Sequence, residues 1–177
     1  MRRWRWCRRR ARLPADSSEP SAAKSEGIEI REVAVDVVLP LRHAILRAGR
    51  PLESAHARQD DAPGTRHLAA YAGPRVVGVV SQFPEDTALA PSSPADRFRG
   101  MAVDPAWRGH GVGRALMRAV ADLAKTRGAE ILWANGRDTA LGFYTSIGFR
   151  VAGDGFVDGE MHLGHHVVIA GIDELRI

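Results

Sequence analysis

The sequence predicts one mixed α/β domain built on a central sheet of six to seven strands with about four helices. Three observations carry this expectation. Apolar residues at Val112, Leu116, Ala119 and Leu123 recur with helical spacing directly after a glycine-rich loop. Short apolar and β-branched runs, such as Arg75 to Gln82 and Ile131 to Trp133, are punctuated by Gly and Pro. The two patterns alternate along the chain instead of occupying separate halves. With 177 residues, 45% hydrophobic and 26% charged, the chain can bury one core.

Residues 1 to 27 read as a disordered arm, Arg-rich at first and then rich in Ser, Pro and acidic residues, with too few large apolar groups to offset the entropy of ordering. Ile28, Ile30 and Val33 predict a first strand. Asp36 is placed to cap a helix through Leu41, Ile45 and Ala48, which Gly49, Arg50 and Pro51 end. Pro40 fits that helix only in its first turn. A second short helix is expected over Leu52 to Arg58. His67 to Tyr71 and Arg75 to Gln82 form a hairpin across Gly73 and Pro74. Pro84 to Asp96 is expected as a loop and Phe98 to Val103 as a strand. The helix after Gly113 stops at Gly128. Ile131 to Trp133 then gives a strand, Thr139 to Ile147 a helix, and Phe149 to Val157 and Met161 to Ala170 two closing strands.

The net charge of +4 suggests an acidic partner until its distribution is considered. Arg2, Arg3, Arg5, Arg8, Arg9, Arg10 and Arg12 are seven of the 25 basic residues, leaving 18 against 21 acidic residues from Leu13 onward, a net −3. A negatively charged body is poorly suited to tracking phosphates, so nucleic acid is disfavoured as a partner and any such binding would belong to the arm. No apolar run is long enough to span a bilayer, so no membrane partner is expected. Cys7 is the single cysteine, which excludes an internal disulfide and a Cys-rich zinc site and fits a cytoplasmic location. His162, His165 and His166 do not make a metal site, because His165 points away from the other two on a strand. No metal is expected.

Met101 to Arg114 reads as strand, glycine loop and helix, an arrangement that presents unpaired N–H groups and a positive dipole end to an anion. A Walker loop is excluded because Gly113 is followed by Arg114 and Ala115, where Lys and Ser or Thr are required. The dinucleotide fingerprint fails at Leu116, where a third glycine is needed.

Arg108, Gly111 and Gly113 instead resemble the acetyl-CoA motif of the GNAT superfamily of acetyltransferases. Ala140, Phe143, Tyr144, Gly148 and Phe149 resemble that family's second signature. His43 to Gly49, Asp61 to Leu68 and Gly164 to Val168 are similar to a subgroup of uncharacterised members. The resemblance implies a GNAT fold over residues 28 to 177, with parallel strands splayed at the coenzyme site and acetyl-CoA as cosubstrate. It assigns coenzyme binding to Met101, Ala102, Val103, Arg108, Gly109, His110, Gly111, Val112, Gly113 and Arg114, with His110 a spectator beside the nucleotide. A backbone N–H at Met101 or Ala102 would polarise the thioester carbonyl.

By the same resemblance Tyr144 supplies a proton to the leaving thiolate. Asn135 stands where many peptide-directed relatives carry a glutamate, and asparagine cannot act as a base. Asp60, Asp61, Glu85, a histidine or solvent are left as routes for the amine proton, and Asp61 and His166 are the candidate acceptor-binding residues. The implied function is N-acetyl transfer to a small-molecule or peptide amine, by direct attack in a ternary complex, from a monomer or homodimer. A non-catalytic acyl-CoA-binding sensor or assembly module on the same fold is the alternative. If the arm alone binds nucleic acid, deleting residues 1 to 27 will abolish a salt-sensitive mobility shift with DNA or RNA; a shift that survives deletion would place that binding on the body.

Overall fold

The computed structural model describes residues 27–158 and 162–177. Seven strands, β1 (Ile28–Val33), β2 (Arg66–Ala72), β3 (Arg75–Pro84), β4 (Ala95–Val103), β5 (Ile131–Arg137), β6 (Arg150–Val157) and β7 (Gly164–Gly171), form one sheet. Its order is β1-β2-β3-β4-β5-β7-β6. Only β4 and β5 run parallel; the other neighbours are antiparallel. Among the described residues, three α-helices, α1 (Val35–Leu46), α2 (Val112–Thr126) and α3 (Leu141–Ser146), complete the framework with short 3-10 turns.

Side-chain alternation along the strands divides the core between two faces. Leu68, Ala70 and Ala72 of β2 pack towards α2, whereas Ala69 packs with Val79, Ala102 and Val38 beneath α1. Val112, Leu116, Met117, Val120, Ala121 and Ala124 are the buried face of α2. The expected stripe was therefore turned slightly, with Ala119 and Leu123 on its flank. Gly128, at φ +78°, stops α2. The Gly128 amide donates to Lys125 O at 3.0 Å and the Ala129 amide to Ala124 O at 3.1 Å, the paired bonds of a left-handed helix end.

Several boundaries differ from the sequence expectation. Ala34, not Asp36, is the N-cap of α1, and Asp36 lies in the first turn, where its charge faces the positive dipole end. Pro40 lies inside α1, past its first turn. Its exposed position lets water reach the carbonyl left without a donor. The second helix expected over Leu52 to Arg58 is instead two 3-10 turns, Leu52–Ala55 and Arg58–Asp61. β4 begins at Ala95, inside the expected loop, because Gln82 and Phe83 of β3 extend the pairing to Phe98 and Arg97. The helix expected from Thr139 starts with a 3-10 turn over Asp138–Ala140. β7 starts at Gly164; Met161, its expected first residue, lies outside the described residues, as does the arm except Gly27.

One buried polar group ties α1 to the sheet. Arg42 occupies the α1 position one turn after Val38, in the apolar stripe, and is 2% exposed. Its guanidinium donates to Asp60 Oδ2 at 2.6 Å, Ala55 O at 3.0 Å and Ser81 Oγ at 2.5 Å. Asp60 also accepts the Ala57 amide at 2.8 Å, which anchors the second 3-10 turn. A Cβ on Gly100 would stand 2.6 Å from Arg42 Nε, so glycine is required there on space as well as on its φ of +60°. Truncating one partner strands the other charge in the interior. Arg42→Met is expected to cost about 3–5 kcal/mol in urea unfolding. Arg42→Met/Asp60→Asn should cost less than Arg42→Met alone; a larger loss in the double variant would show that the pair's charges are not what is being balanced.

Candidate functional site

The site begins where two strands stop pairing. β4 and β5 are in register only at Ala95↔Ile131, Asp96↔Leu132 and Arg97↔Trp133. Beyond these, β4 stays with β3 through Gly78↔Val103, while β5 stays with β7 through Asn135↔Val167 and Arg137↔His165. The facing edges of Phe98–Val103 and Ala134–Arg137 are left apart, with alternate main-chain groups turned into the gap.

A bulge shapes the β4 side. Val79↔Ala102 and Ser81↔Arg99 leave Gly100 and Met101 opposite the single residue Val80. The extra residue resets the alternation. Phe98 and Met101, three apart, both pack on the α2 side, and Arg99 and Ala102 both turn to the α1 side. On the β5 side, Gly136 admits an aromatic ring: a Cβ there would meet Tyr144 Cε2 at 3.1 Å.

The gap opens into a cavity of about 1140 Å³. Met101, Ala102 and Val103 line one wall, Ala134 and Asn135 the other, and Phe143 and Tyr144 of α3 face it from below. Tyr144 is held by rings at 5.3 to 5.8 Å from Phe143, Phe98 and Phe149. Its hydroxyl lies 3.9 Å from Met101 Sδ. Burial among these apolar groups pushes the phenol pKa up to about 12, so the group keeps its proton at neutral pH.

At the mouth stand Trp107, Arg108, Gly109, Gly111, Val112, Gly113 and Arg114. Asp104 sets up this loop: its carboxylate accepts the Ala106 amide at 2.9 Å and the Arg75 guanidinium at 2.6 Å. Gly109 and Gly111 take φ of +77° and +80°, and a Cβ at either would meet nothing within 4 Å. Those glycines serve backbone direction and leave open space beside the chain. The first helical bond of α2 is from the Ala115 amide to Gly111 O, so the amides of Val112, Gly113 and Arg114 have no helical acceptor. Gly113 is different, since a Cβ there would meet Phe143 Cζ at 3.1 Å and Met101 Cε at 3.3 Å. It lets α2 approach α3. Free amides, a helix start and the Arg108 side chain make a mouth that fits a diphosphate.

The remaining predicted residues are dispersed. The His110 ring turns to Arg108 O at 2.9 Å and is not on the cavity wall. The Arg114 guanidinium donates to the Arg176 carbonyl. Asp61 is exposed beside His56 at 3.2 Å and does not line the cavity. His166 faces Asp138 at 2.8 Å, and the wall residue is its neighbour His165, which projects from the opposite face of β7. Asp60 is committed to Arg42, and Glu85 accepts from Arg97 at 2.7 Å. Among the described residues no group of three or more His, Cys, Asp or Glu is placed to hold a metal ion, and no helix is long and apolar enough to cross a membrane.

The sequence profile of the acetyltransferase (GNAT) family matches residues 35–149, which span the splayed strands, the glycine loop and Tyr144. The chain is a member of the GNAT family. It is 27% identical over 143 residues, 80% of this chain and 94% of the other, to the uncharacterized N-acetyltransferase YitI of Bacillus subtilis. Among solved structures it resembles FeeM, an N-acyl amino acid synthase from uncultured soil microbes, with a TM-score of 0.69 and 14% identity over 84% of this chain and 92% of that one. A putative N-acetyltransferase from Lactobacillus plantarum superposes with a TM-score of 0.66 and 22% identity over 82% and 98%.

Membership implies acyl-CoA-dependent N-acyltransferase activity, and the open gap, glycine loop and helix start of this GNAT chain are compatible with an acyl-CoA. Sequence reasoning missed the cavity's arginines: Arg42, Arg47, Arg97, Arg99 and Arg137 all line it. Arg97 and Arg99 alternate on one strand face immediately before Gly100, the one local signal that could have marked them.

The raised phenol pKa is open to direct measurement. In a Tyr71→Phe background Tyr144 is the only tyrosine, and its ionisation at 295 nm should come only near pH 12 or with unfolding. The unfolded chain gives up this proton near pH 10, so the linked stability is complete below about pH 10 and is lost as pH rises towards 12. Ionisation of the folded protein near pH 10 would mean the ring is not dry.

Proposed function

We propose that the chain is an acetyl-CoA-dependent N-acetyltransferase in which an amine attacks the thioester directly within a ternary complex. The observation that carries this reading is the position of the Tyr144 hydroxyl, protonated and buried at the point where β4 and β5 part. The choice of acetyl follows the names of the family and of YitI.

In this reading the coenzyme supplies an activated acyl carbon and a thiolate leaving group. Main-chain groups of Met101, Ala102 and Val103 align it along the open edge of β4, and Gly109 to Arg114 hold its diphosphate. An N–H at Met101 or Ala102 stabilises charge on the carbonyl oxygen. A C–N bond forms as the C–S bond breaks, and Tyr144 Oη gives its proton to the sulfur. Asn135, exposed on the β5 wall, offers a carboxamide to orient the acceptor or water.

The amine proton needs a different acceptor. His165 lines the cavity, and its Nδ1 lies 2.9 Å from the Leu163 carbonyl. That contact puts the ring proton on Nδ1 and leaves Nε2 with a lone pair, so His165, or water beside it, is the proposed route. Such transfer needs no covalent acyl-enzyme. The activity is assigned to the cytoplasm.

Tyr144→Phe should lower kcat in a thiol-release assay by about 10²–10⁴-fold with little change in acetyl-CoA affinity. Undiminished turnover would remove Tyr144 from the chemistry. Tight acetyl-CoA binding by the native protein, without thiol release on any amine, would favour an acyl-CoA sensor.

A further inference from the structure

Among the described residues, the arginines on the α1-side half of the cavity outnumber its carboxylates. Arg42 and Arg97 each hold a close carboxylate, Asp60 at 2.6 Å and Glu85 at 2.7 Å, although the Nε of each is buried without a hydrogen-bond partner. Arg97 also stacks over the Trp133 ring at 4.5 Å. Arg99 is held less closely: its carboxylate is Asp60 Oδ2 at 3.7 Å, which already accepts from Arg42 and the Ala57 amide, while Asp60 Oδ1 is buried without a partner. Arg99 Nη1 is buried without a hydrogen-bond partner.

Arg47 and Arg137 have carbonyl partners. Both donate to Leu46 O at the C-terminal end of α1, at 3.3 and 2.8 Å, and Arg47 Nε also donates to Ser54 O at 3.3 Å. Among the described residues the acidic group on this wall is Asp158, whose charge acts on Arg137. Burial lowers the pKa of Arg99 and Arg137, and the charge of Arg47 lowers both further. The Arg47 charge therefore disfavours the charged forms of both Arg99 and Arg137. A fixed cluster of forked donors beside a cavity is the means by which a protein holds carboxylate or phosphate.

We infer that the acceptor amine carries an anionic group, a carboxylate or a phosphate, which seats on Arg99 with Arg47 and Arg137 while its nitrogen points past Asn135 to the gap between β4 and β5. This deepens the transferase reading and rests on it. It excludes polyamines and aminoglycosides as preferred acceptors, because their second cation would face the same cluster. It also orders the cavity, with coenzyme on the glycine-loop side and anion on the α1 side.

The test uses the full chain saturated with coenzyme A, with calorimetric binding and, under acetyl-CoA, thiol release as readouts. The panel contains free α-amino acids and their carboxamides, phosphoethanolamine and ethanolamine, and spermidine. Anionic members should bind at least about tenfold tighter than their neutral counterparts, as expected for a charge-assisted guanidinium contact. The amino-acid and phosphoethanolamine arms distinguish carboxylate from phosphate. Arg99→Ala should bring the anionic-to-neutral ratio towards one while leaving coenzyme affinity intact, and Arg99→Lys should recover only part of it. Arg137→Gln serves if Arg99→Ala does not fold. Equal or tighter binding of the neutral or cationic members, or no anion preference at all, overturns the inference. Absence of coenzyme binding would instead overturn the transferase reading beneath it.

Discussion

Everything functional in this molecule follows from three residue pairs of parallel β-sheet that are not continued by a fourth. Ala95–Arg97 and Ile131–Trp133 hold β4 and β5 together at one end, and beyond them each strand is claimed by another neighbour. An open edge inside a sheet leaves main-chain donors and acceptors without partners, which is costly unless water or a ligand meets them. The fold keeps the edge open by several local means. A bulge at Gly100 and Met101 re-aims β4, and Gly136 makes room on β5 for the ring of Tyr144.

The two faces of the sheet supply opposite environments to this opening. On the α2 side Phe98, Met101, Phe143, Tyr144 and Phe149 form an apolar floor that holds the phenol in its neutral form. On the α1 side the same strands present Arg97, Arg99 and Arg137. Strand alternation is what permits this: neighbouring residues of one strand meet the apolar floor around Tyr144 on one face and the arginines on the other. Arg42 and Asp60 link the two, since the buried pair packs against Gly100 and so fixes the bulge on which the parity of β4 depends. The formal charge of the whole chain says nothing of this, because the chain beyond Arg12, of net −3, still concentrates cations in one pocket.

Local patterns were readable wherever one segment determined its own structure. The α2 stripe, the Gly128 stop and the glycine loop at Gly109 to Gly113 depend on spacing and on left-handed φ values, both written in consecutive residues. The Gly73–Pro74 hairpin is of the same kind. What the sequence concealed was long-range. Arg42 and Asp60 are 18 positions apart and look like ordinary surface charges until α1 and a 3-10 turn meet. The start of β4 at Ala95 depends on pairing with β3, which no propensity within a Pro- and Ser-rich segment announces. His165 and His166 differ only in strand parity, fixed by the β5 and β6 partners of β7.

The claim that the parted strands form a coenzyme cleft is tested most directly by amide chemical shifts of the 15N-labelled chain during titration with acetyl-CoA. The account predicts the largest perturbations at Met101–Val103, Gly109–Arg114 and Ala134–Gly136, with β1 and β2 little affected. Perturbations confined to other surfaces, or none at saturating acetyl-CoA, would contradict it.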